Sequence, residues 1–244
     1  MSQTQRSVAI PQEPDGVRCE PMDSCGCGDD FASIFDRGTA ERDRERYRTK
    51  GPDQTTAMLL DMITSDSVRG ASLLDVGGGI GVITQELLKA GAGHAVLVDG
   101  STAYLEVARN ELRALNVLER VDVVEGDFVR RASAIDPMDI VTLDRVVCCY
   151  PDAESLVSLS ADRARSLLGL VLPRNSRLVR FALWANNLRF WLTRSPYRTF
   201  GHSNQLIDEL VGDRGLHPIA EQRTLFWRVV LYRRGTDAIP LTEI

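Results

Sequence analysis

The sequence predicts a doubly wound α/β fold built on an open, mainly parallel sheet. Three observations carry this. First, Ser72-Leu73-Leu74-Asp75-Val76 runs into the glycine-dense stretch Gly77-Gly78-Gly79-Ile80-Gly81, and Val82–Leu88 then resumes with apolar residues at helical spacing. That order reads as a buried strand, a tight turn and a helix start. Second, short apolar runs recur at 95–98, 121–124 and 139–143, and helical patterns separate the first two of them, as expected for parallel βαβ units. Third, Asp99 ends the second of the four runs, 20 residues beyond Gly79. In open α/β sheets a carboxylate at that place accepts ribose hydroxyls.

The glycine spacing narrows the ligand. Glycines reach backbone angles closed to other residues and let a ligand lie on the main chain. A dinucleotide turn reads G-x-G-x-x-G, which from Gly77 would place its third glycine at 82, where Val82 stands. The run is instead Asp75-x-Gly77-x-Gly79-x-Gly81. It resembles motif I of class I S-adenosylmethionine-dependent methyltransferases. That resemblance spans roughly residues 45–235 and implies a Rossmann-like methyltransferase fold, with a seven-stranded, mostly parallel sheet and a reversed last strand. It implies S-adenosyl-L-methionine as cofactor. Gly77, Gly79 and Gly81 would seat it, and Asp75 would meet the cationic methionyl end. Asp99, with Gly100 beside it, would take the ribose. Glu125-Gly126-Asp127-Phe128 resembles the family's Gly-Asp-aromatic turn, in which the acid accepts from the adenine amino group and the next residue packs on the ring. Asp144, ending the run beside motif I, is a further cofactor candidate, and Arg145–Pro151 would form the wall nearest the transferred methyl.

Composition bounds the class. In 244 residues, 43% hydrophobic and 26% charged, with formal charge −5, one soluble α/β domain with an extension is expected. The acidic balance disfavours nucleic acid as substrate. No apolar run approaches the ~20 residues of a membrane span. The opening residues lack the apolar core of a secretory signal, which predicts a cytoplasmic location. The five cysteines are too few and uneven for a disulfide scaffold. Cys19, Cys25 and Cys27 read as reduced thiols of a solvated tail, and no metal site is expected.

The remaining elements fall in order. Residues 1–30 read as a flexible N-terminal extension, 31–66 as N-terminal cap helices, and 67–244 as the cofactor-binding domain. Within the cap, a charged helix breaks near Gly38 and is capped at Thr39, and a second runs from Asp53 to Thr64. The family resemblance places such helices over the cofactor, with Tyr47 and Arg48 able to meet its carboxylate. Ser101 caps a helix over Thr102–Leu115. A helix is expected over Asp152–Leu168 and a fifth strand over Arg177–Leu183. Between that strand and a helix from Ser203 lies a segment with five aromatics and three arginines, from Trp184 to His202. It suits either a flat or anionic ligand or an amphipathic cap helix. Gln222–Leu225 and Trp227–Arg233 pattern as a closing hairpin. The Cys148-Cys149 pair reads as packing volume, because no histidine adjoins it.

The function predicted is methyl transfer to a small-molecule acceptor, with aromatic or anionic compounds as the candidate class. Tyr150 and His202 are the candidate catalytic residues. His202 is poised either as a base or as a helix cap. Asp144-x4-Cys149-Tyr150-Pro151 and the late histidine resemble magnesium-protoporphyrin O-methyltransferases, whose usual turn is Gly-Cys-Gly-Thr-Gly. Methyl esterification of a porphyrin-like or other carboxylate is therefore an alternative. A nicotinamide-dependent oxidoreductase and a non-catalytic cofactor-binding protein are the others. Oligomeric state is not legible in the sequence.

Overall fold

Strands β1 (Ser72–Val76), β2 (His94–Asp99), β3 (Val121–Glu125), β4 (Met138–Asp144), β5 (Ala164–Pro173), β6 (Leu216–Arg223) and β7 (Trp227–Arg234) form one sheet in the order β3-β2-β1-β4-β5-β7-β6. This computed structural model describes residues 35–235 apart from 66 and 196. The predicted extension, with Cys19, Cys25 and Cys27, lies outside the described residues. β1 to β5 pair in parallel, and β7 runs antiparallel to both β5 and β6, so the reversed last strand is as expected. The helices are α1 (Arg37–Lys50), α2 (Gln54–Thr64), α3 (Val82–Lys89), α4 (Thr102–Ala114), α5 (Phe128–Arg131), α6 (Ala153–Arg163), α7 (Arg177–Leu192) and α8 (Asn204–Gly212).

Side-chain alternation along each strand builds two cores. Leu74, Val76, Val141, Leu143, Leu168 and Leu170 face α6 and α8 through Leu156, Val157, Ile207 and Val211. Leu73, Leu97, Ile140 and Val171 face α2, α3 and α4 through Leu59, Ile83, Leu87, Leu105 and Leu112. Both faces of the central strands are therefore buried, which is why these strands read as continuous apolar runs. α2 belongs to this packing and is not a loose cover. A Cβ at Gly169 of β5 would lie 2.7 Å from Leu59 Cδ1, so the glycine is what lets helix and strand approach.

Several element boundaries differ from expectation. α6 stops at Arg163, β5 occupies Ala164–Pro173, and the predicted strand at 177–183 is the first half of helix α7. The run Leu167–Leu172 is buried on both faces, so period alone could not separate it from a helix tail. In Leu178, Val179, Phe181 and Leu183 a short spacing imitates alternation. The Ser176 hydroxyl accepts from Val179 N at 3.2 Å, and this cap sets a helix there. At the N-terminal side, Asp36 caps α1 by accepting from Thr39 N at 2.7 Å. The helix passes through Gly38 without a break, and Thr39 is not its cap. β6 also begins earlier than the hairpin pattern indicated, at Leu216.

Candidate functional site

The carboxyl ends of β1, β2 and β4 open onto one cleft of about 530 Å³. Its floor is the glycine turn. Gly77, Gly79 and Gly81 hold φ of 62°, 58° and 77°, the left-handed region that favours glycine. Gly77 N and Gly78 N both donate to the Val98 carbonyl, at 2.7 and 3.3 Å. A Cβ at Gly77 would lie 2.6 Å from Val146 Cγ2. The turn is thus pinned between β2 and the chain leaving β4, with bare backbone toward the cleft.

Asp99 organises the adjoining wall. Its Oδ2 accepts from Gly79 N at 2.9 Å and its Oδ1 from Ser101 N at 2.8 Å. Each oxygen keeps acceptor capacity for a ligand hydroxyl. Burial pushes its carboxyl above the usual range, against the pull of the two amides. Gly100 lines the same wall, with open space where a side chain would stand. Asp127 caps α5 through Val129 N at 3.0 Å, and both its oxygens accept from the Tyr150 hydroxyl at 3.0 Å. Phe128 lies buried beside them and borders the cleft. Asp127, Phe128 and Tyr150 therefore form one corner.

At the other end, Asp53 caps α2 and Asp144 ends β4, with Arg145 between them. Arg145 Nε donates to Asp144 Oδ1 at 3.0 Å, and its Nη1 pairs with Asp53 Oδ2. Arg46 reaches Asp53 Oδ2 at 3.0 Å, and the Thr56 hydroxyl donates to Asp144. Arg145 sits at φ 61°, which for a non-glycine residue costs about 1–3 kcal/mol and persists only where surroundings over-determine it. The two carboxylates and the Val171 carbonyl, which accepts from Arg145 N at 3.2 Å, hold it there. This end of the cleft carries both signs of charge.

Residues 73–167 match the family described as "Methyltransferase domain". Over that stretch, less than half of its length, the chain is similar to methyltransferase domains. Phenazine-1-carboxylate N-methyltransferase of Pseudomonas aeruginosa is 33% identical over 121 residues, 45% of this chain and 35% of that protein. Arginine N(omega)-methyltransferase of Streptomyces achromogenes is 24% identical over 252 residues, 99% of this chain and 65% of that protein. The chain therefore spans about one third to two thirds of the length of these relatives. In fold it is similar to magnesium protoporphyrin IX methyltransferase of Synechocystis, solved with bound S-adenosylhomocysteine (TM-score 0.64, 20% identity, 85% of this chain and 98% of that one).

Within the matching stretch, Asp75 is turned inward. It is 1% exposed, and its oxygens accept from the Thr84 and Thr142 hydroxyls, each at 2.9 Å. Its carboxylate, expected to meet a cofactor cation, ties β1, β4 and α3 together, and Asp75 is among the residues that line the cleft. Burial pushes its carboxyl up to about 6, while the two hydroxyls pull it down. The folded value lies above the unfolded 3.8. Its stabilising contribution is thus complete below about pH 4 and lost as pH rises through about 6. Asp75→Asn should gain stability relative to the parent by up to ~3 kcal/mol between pH 4 and 7. Paired denaturant titrations across that range would read this, and a constant difference would contradict it.

Arg48 points away from the cleft, paired with Glu111 at 2.7 Å. Tyr47 does line the cleft, with its hydroxyl on Glu86; burial beside that carboxylate pushes the phenol up to about 12. His202 is not among the lining residues. The Tyr150 carbonyl lies 2.9 Å from its Nε2, which must therefore carry the proton and donate. The ring stacks on Phe200 at 5.7 Å. Nor does His202 cap α8, because the Ser203 hydroxyl accepts from Leu206 N. His202→Ala should lower turnover less than tenfold, well short of the ~10²-fold that loss of a base produces, with a modest fall in melting temperature. A larger fall in turnover, cofactor affinity unchanged, would restore it as the base.

Sequence reasoning missed Arg46, Asp53, Thr56 and Arg145 as one cluster. Asp53 was legible only as the start of a helix, and Arg145 only as part of the wall expected near the transferred methyl. Nothing in the spacing shows that α2 crosses the end of β4. Cys149 lines the cleft too, its Sγ accepting from the Tyr197 hydroxyl at 2.7 Å.

Proposed function

We propose that the chain transfers the methyl group of S-adenosyl-L-methionine to a small-molecule acceptor. The observation that carries this reading is the bare glycine turn at Gly77–Gly79, locked to Asp99 and lying on the cleft of a methyltransferase domain. The donor set fits the cofactor. Asp99 accepts the ribose hydroxyls, and Gly100 leaves room beside them. Asp127 accepts from the adenine amino group and Phe128 packs on the base. Asp53, Asp144, Arg145 and Arg46 offer both signs of charge, which suits the zwitterionic amino-acid end. When bound, the cofactor supplies an electrophilic methyl on a sulfonium.

The chain's residues contribute mainly orientation, which can supply ~7–11 kcal/mol when geometry is good. Tyr150 fixes the Asp127 corner, and its own carbonyl is fixed by His202. The lining residues Phe35, Tyr104 and Tyr150 favour an aromatic acceptor, and Arg46 an anionic group on it. Incubation with isotopically labelled methyl donor and a panel of aromatic acids, following S-adenosylhomocysteine release, tests the reading. Calorimetry with S-adenosylmethionine against NAD tests the cofactor separately. Tight NAD binding with no S-adenosylmethionine signal would overturn it.

A further inference from the structure

Helix α7 leaves the carboxyl end of β5 at the same sheet edge as the cleft, yet none of its residues lines that cleft. The aromatic–arginine segment that sequence reading offered as a ligand contact instead turns its apolar side outward. Val179 is the buried residue of the helix. Phe181, Trp184, Trp191 and Leu192 are 62%, 59%, 64% and 67% exposed. With Leu188 they fall at i, i+3, i+7, i+10 and i+11, one face of a helix. An isolated exposed leucine is ordinary, but a contiguous stripe of this size marks an interaction surface. Leu225 and Phe226 are exposed as well, in the β6–β7 turn that Arg174 N, three residues before α7, ties down by donating to the Phe226 carbonyl at 2.8 Å.

The charge around the stripe selects the partner. Arg180 and Arg189 fall on either side of it at 100° per residue. Arg177 and Arg194 sit at its two ends. None of these four is ion-paired to a carboxylate among the described residues. In a chain of formal charge −5, no acid occurs between Asp162 and Asp208, whereas eight arginines do. Tryptophan, phenylalanine and leucine on one face with cations along its borders are what an interfacial helix presents to anionic lipid. A core-facing partner helix would need no such row of arginines.

We infer that α7 docks this protein on the surface of an anionic bilayer, lying in the interface plane with the cleft edge toward the lipid. The helix has 16 residues and does not span. Beyond its end, Tyr197 packs edge-on against Phe35 at 5.9 Å, and Phe35 lines the cleft. Lipid contact at α7 therefore lies next to the cleft mouth. The surface stands apart from the methyl-transfer reading, and either can fail without the other.

The test uses the full chain and vesicles of phosphatidylcholine with or without phosphatidylglycerol. Two of the chain's three tryptophans, Trp184 and Trp191, lie on the stripe, so intrinsic emission reports the contact. Co-sedimentation at least about tenfold stronger with phosphatidylglycerol, a blue shift of emission, and weakening by added salt are expected. Trp184→Ser with Trp191→Ser should lower binding by about tenfold or more at unchanged melting temperature, since both side chains are exposed. Arg177→Gln with Arg180→Gln should weaken binding to the anionic vesicles alone. Equal binding to both vesicles, or binding indifferent to the tryptophan pair, would overturn the inference. So would a vesicle-free dimer whose dissociation constant moves with the same variants, because the stripe would then belong to a second copy. Emission already blue in the free monomer and unmoved by lipid would place the cover within the chain itself, and the inference would fall equally.

Discussion

Gly77→Val is expected to lose S-adenosylmethionine binding by 10²-fold or more. Two effects act together. At φ 62° a β-branched residue is strained by about 1–3 kcal/mol. Its Cβ would also lie 2.6 Å from Val146 Cγ2 and 2.9 Å from Cγ1, and overpacking of this kind costs a further ~1–3 kcal/mol. Val146 cannot retreat easily, because it follows Arg145, which Asp53 and Asp144 hold in place. The turn should therefore shift toward the cleft and occupy the ligand's space. Calorimetric titration of the folded variant reads the loss. If the variant does not fold, Gly79→Ala is the gentler probe, with its Cβ 3.3 Å from Tyr104 Cδ1. Parental affinity in either folded variant would show that the turn is not the cofactor's seat.

Asp99→Ala should weaken cofactor binding by about 10²-fold, which is ~2.7 kcal/mol. A hydrogen bond to a charged acceptor contributes ~1.5–3 kcal/mol, and two ribose hydroxyls are at stake. The same substitution frees Gly79 N and Ser101 N, so some fall in melting temperature accompanies it. Asp99→Asn separates the two effects. Its single amide oxygen can hold one of those amides but cannot serve two hydroxyls, so stability should recover more than affinity. If both variants bind as the parent does, Asp99 only stiffens the turn. The sign of the pH dependence follows from burial, which raises this carboxyl. Affinity should fall as acid protonates it, earlier than for an exposed aspartate.

The central strands and the glycine turn were legible because their chemistry is local. A strand buried on both faces must be apolar along its length, as Leu73, Leu74 and Leu97 are. A chain that turns at φ near 60° three times in five residues needs glycine at 77, 79 and 81. An acid closing β2 can reach the turn amide only from a fixed place, and Asp99 stands there. The boundary between α6 and β5 was not legible. Arg163 and Ala164 carry no punctuation between them, and the run Leu167–Leu172 suits a helix tail as well as a buried strand. What made it a strand was pairing with β4 and β7, contacts distant in sequence.

By itself, then, the sequence determined the fold class, the nucleotide-type turn and the positions of Asp99 and Asp144 at strand ends and of Asp127 just beyond one, since each depends on backbone conformation within a few residues. Tertiary structure alone decided how the carboxylates are used. Asp75 stands one residue before the end of β1 and Asp99 ends β2, and the two look alike in one dimension. Thr84 and Thr142, 9 and 67 residues from Asp75, close over it, whereas Asp99 keeps its lone pairs toward the cleft. It likewise decided that Asp53 and Arg145, 92 positions apart in sequence, form one charged end, and that the stripe on α7 finds no core among the described residues. Pattern reports that a residue is apolar or charged, and only the packing of distant elements fixes what it meets.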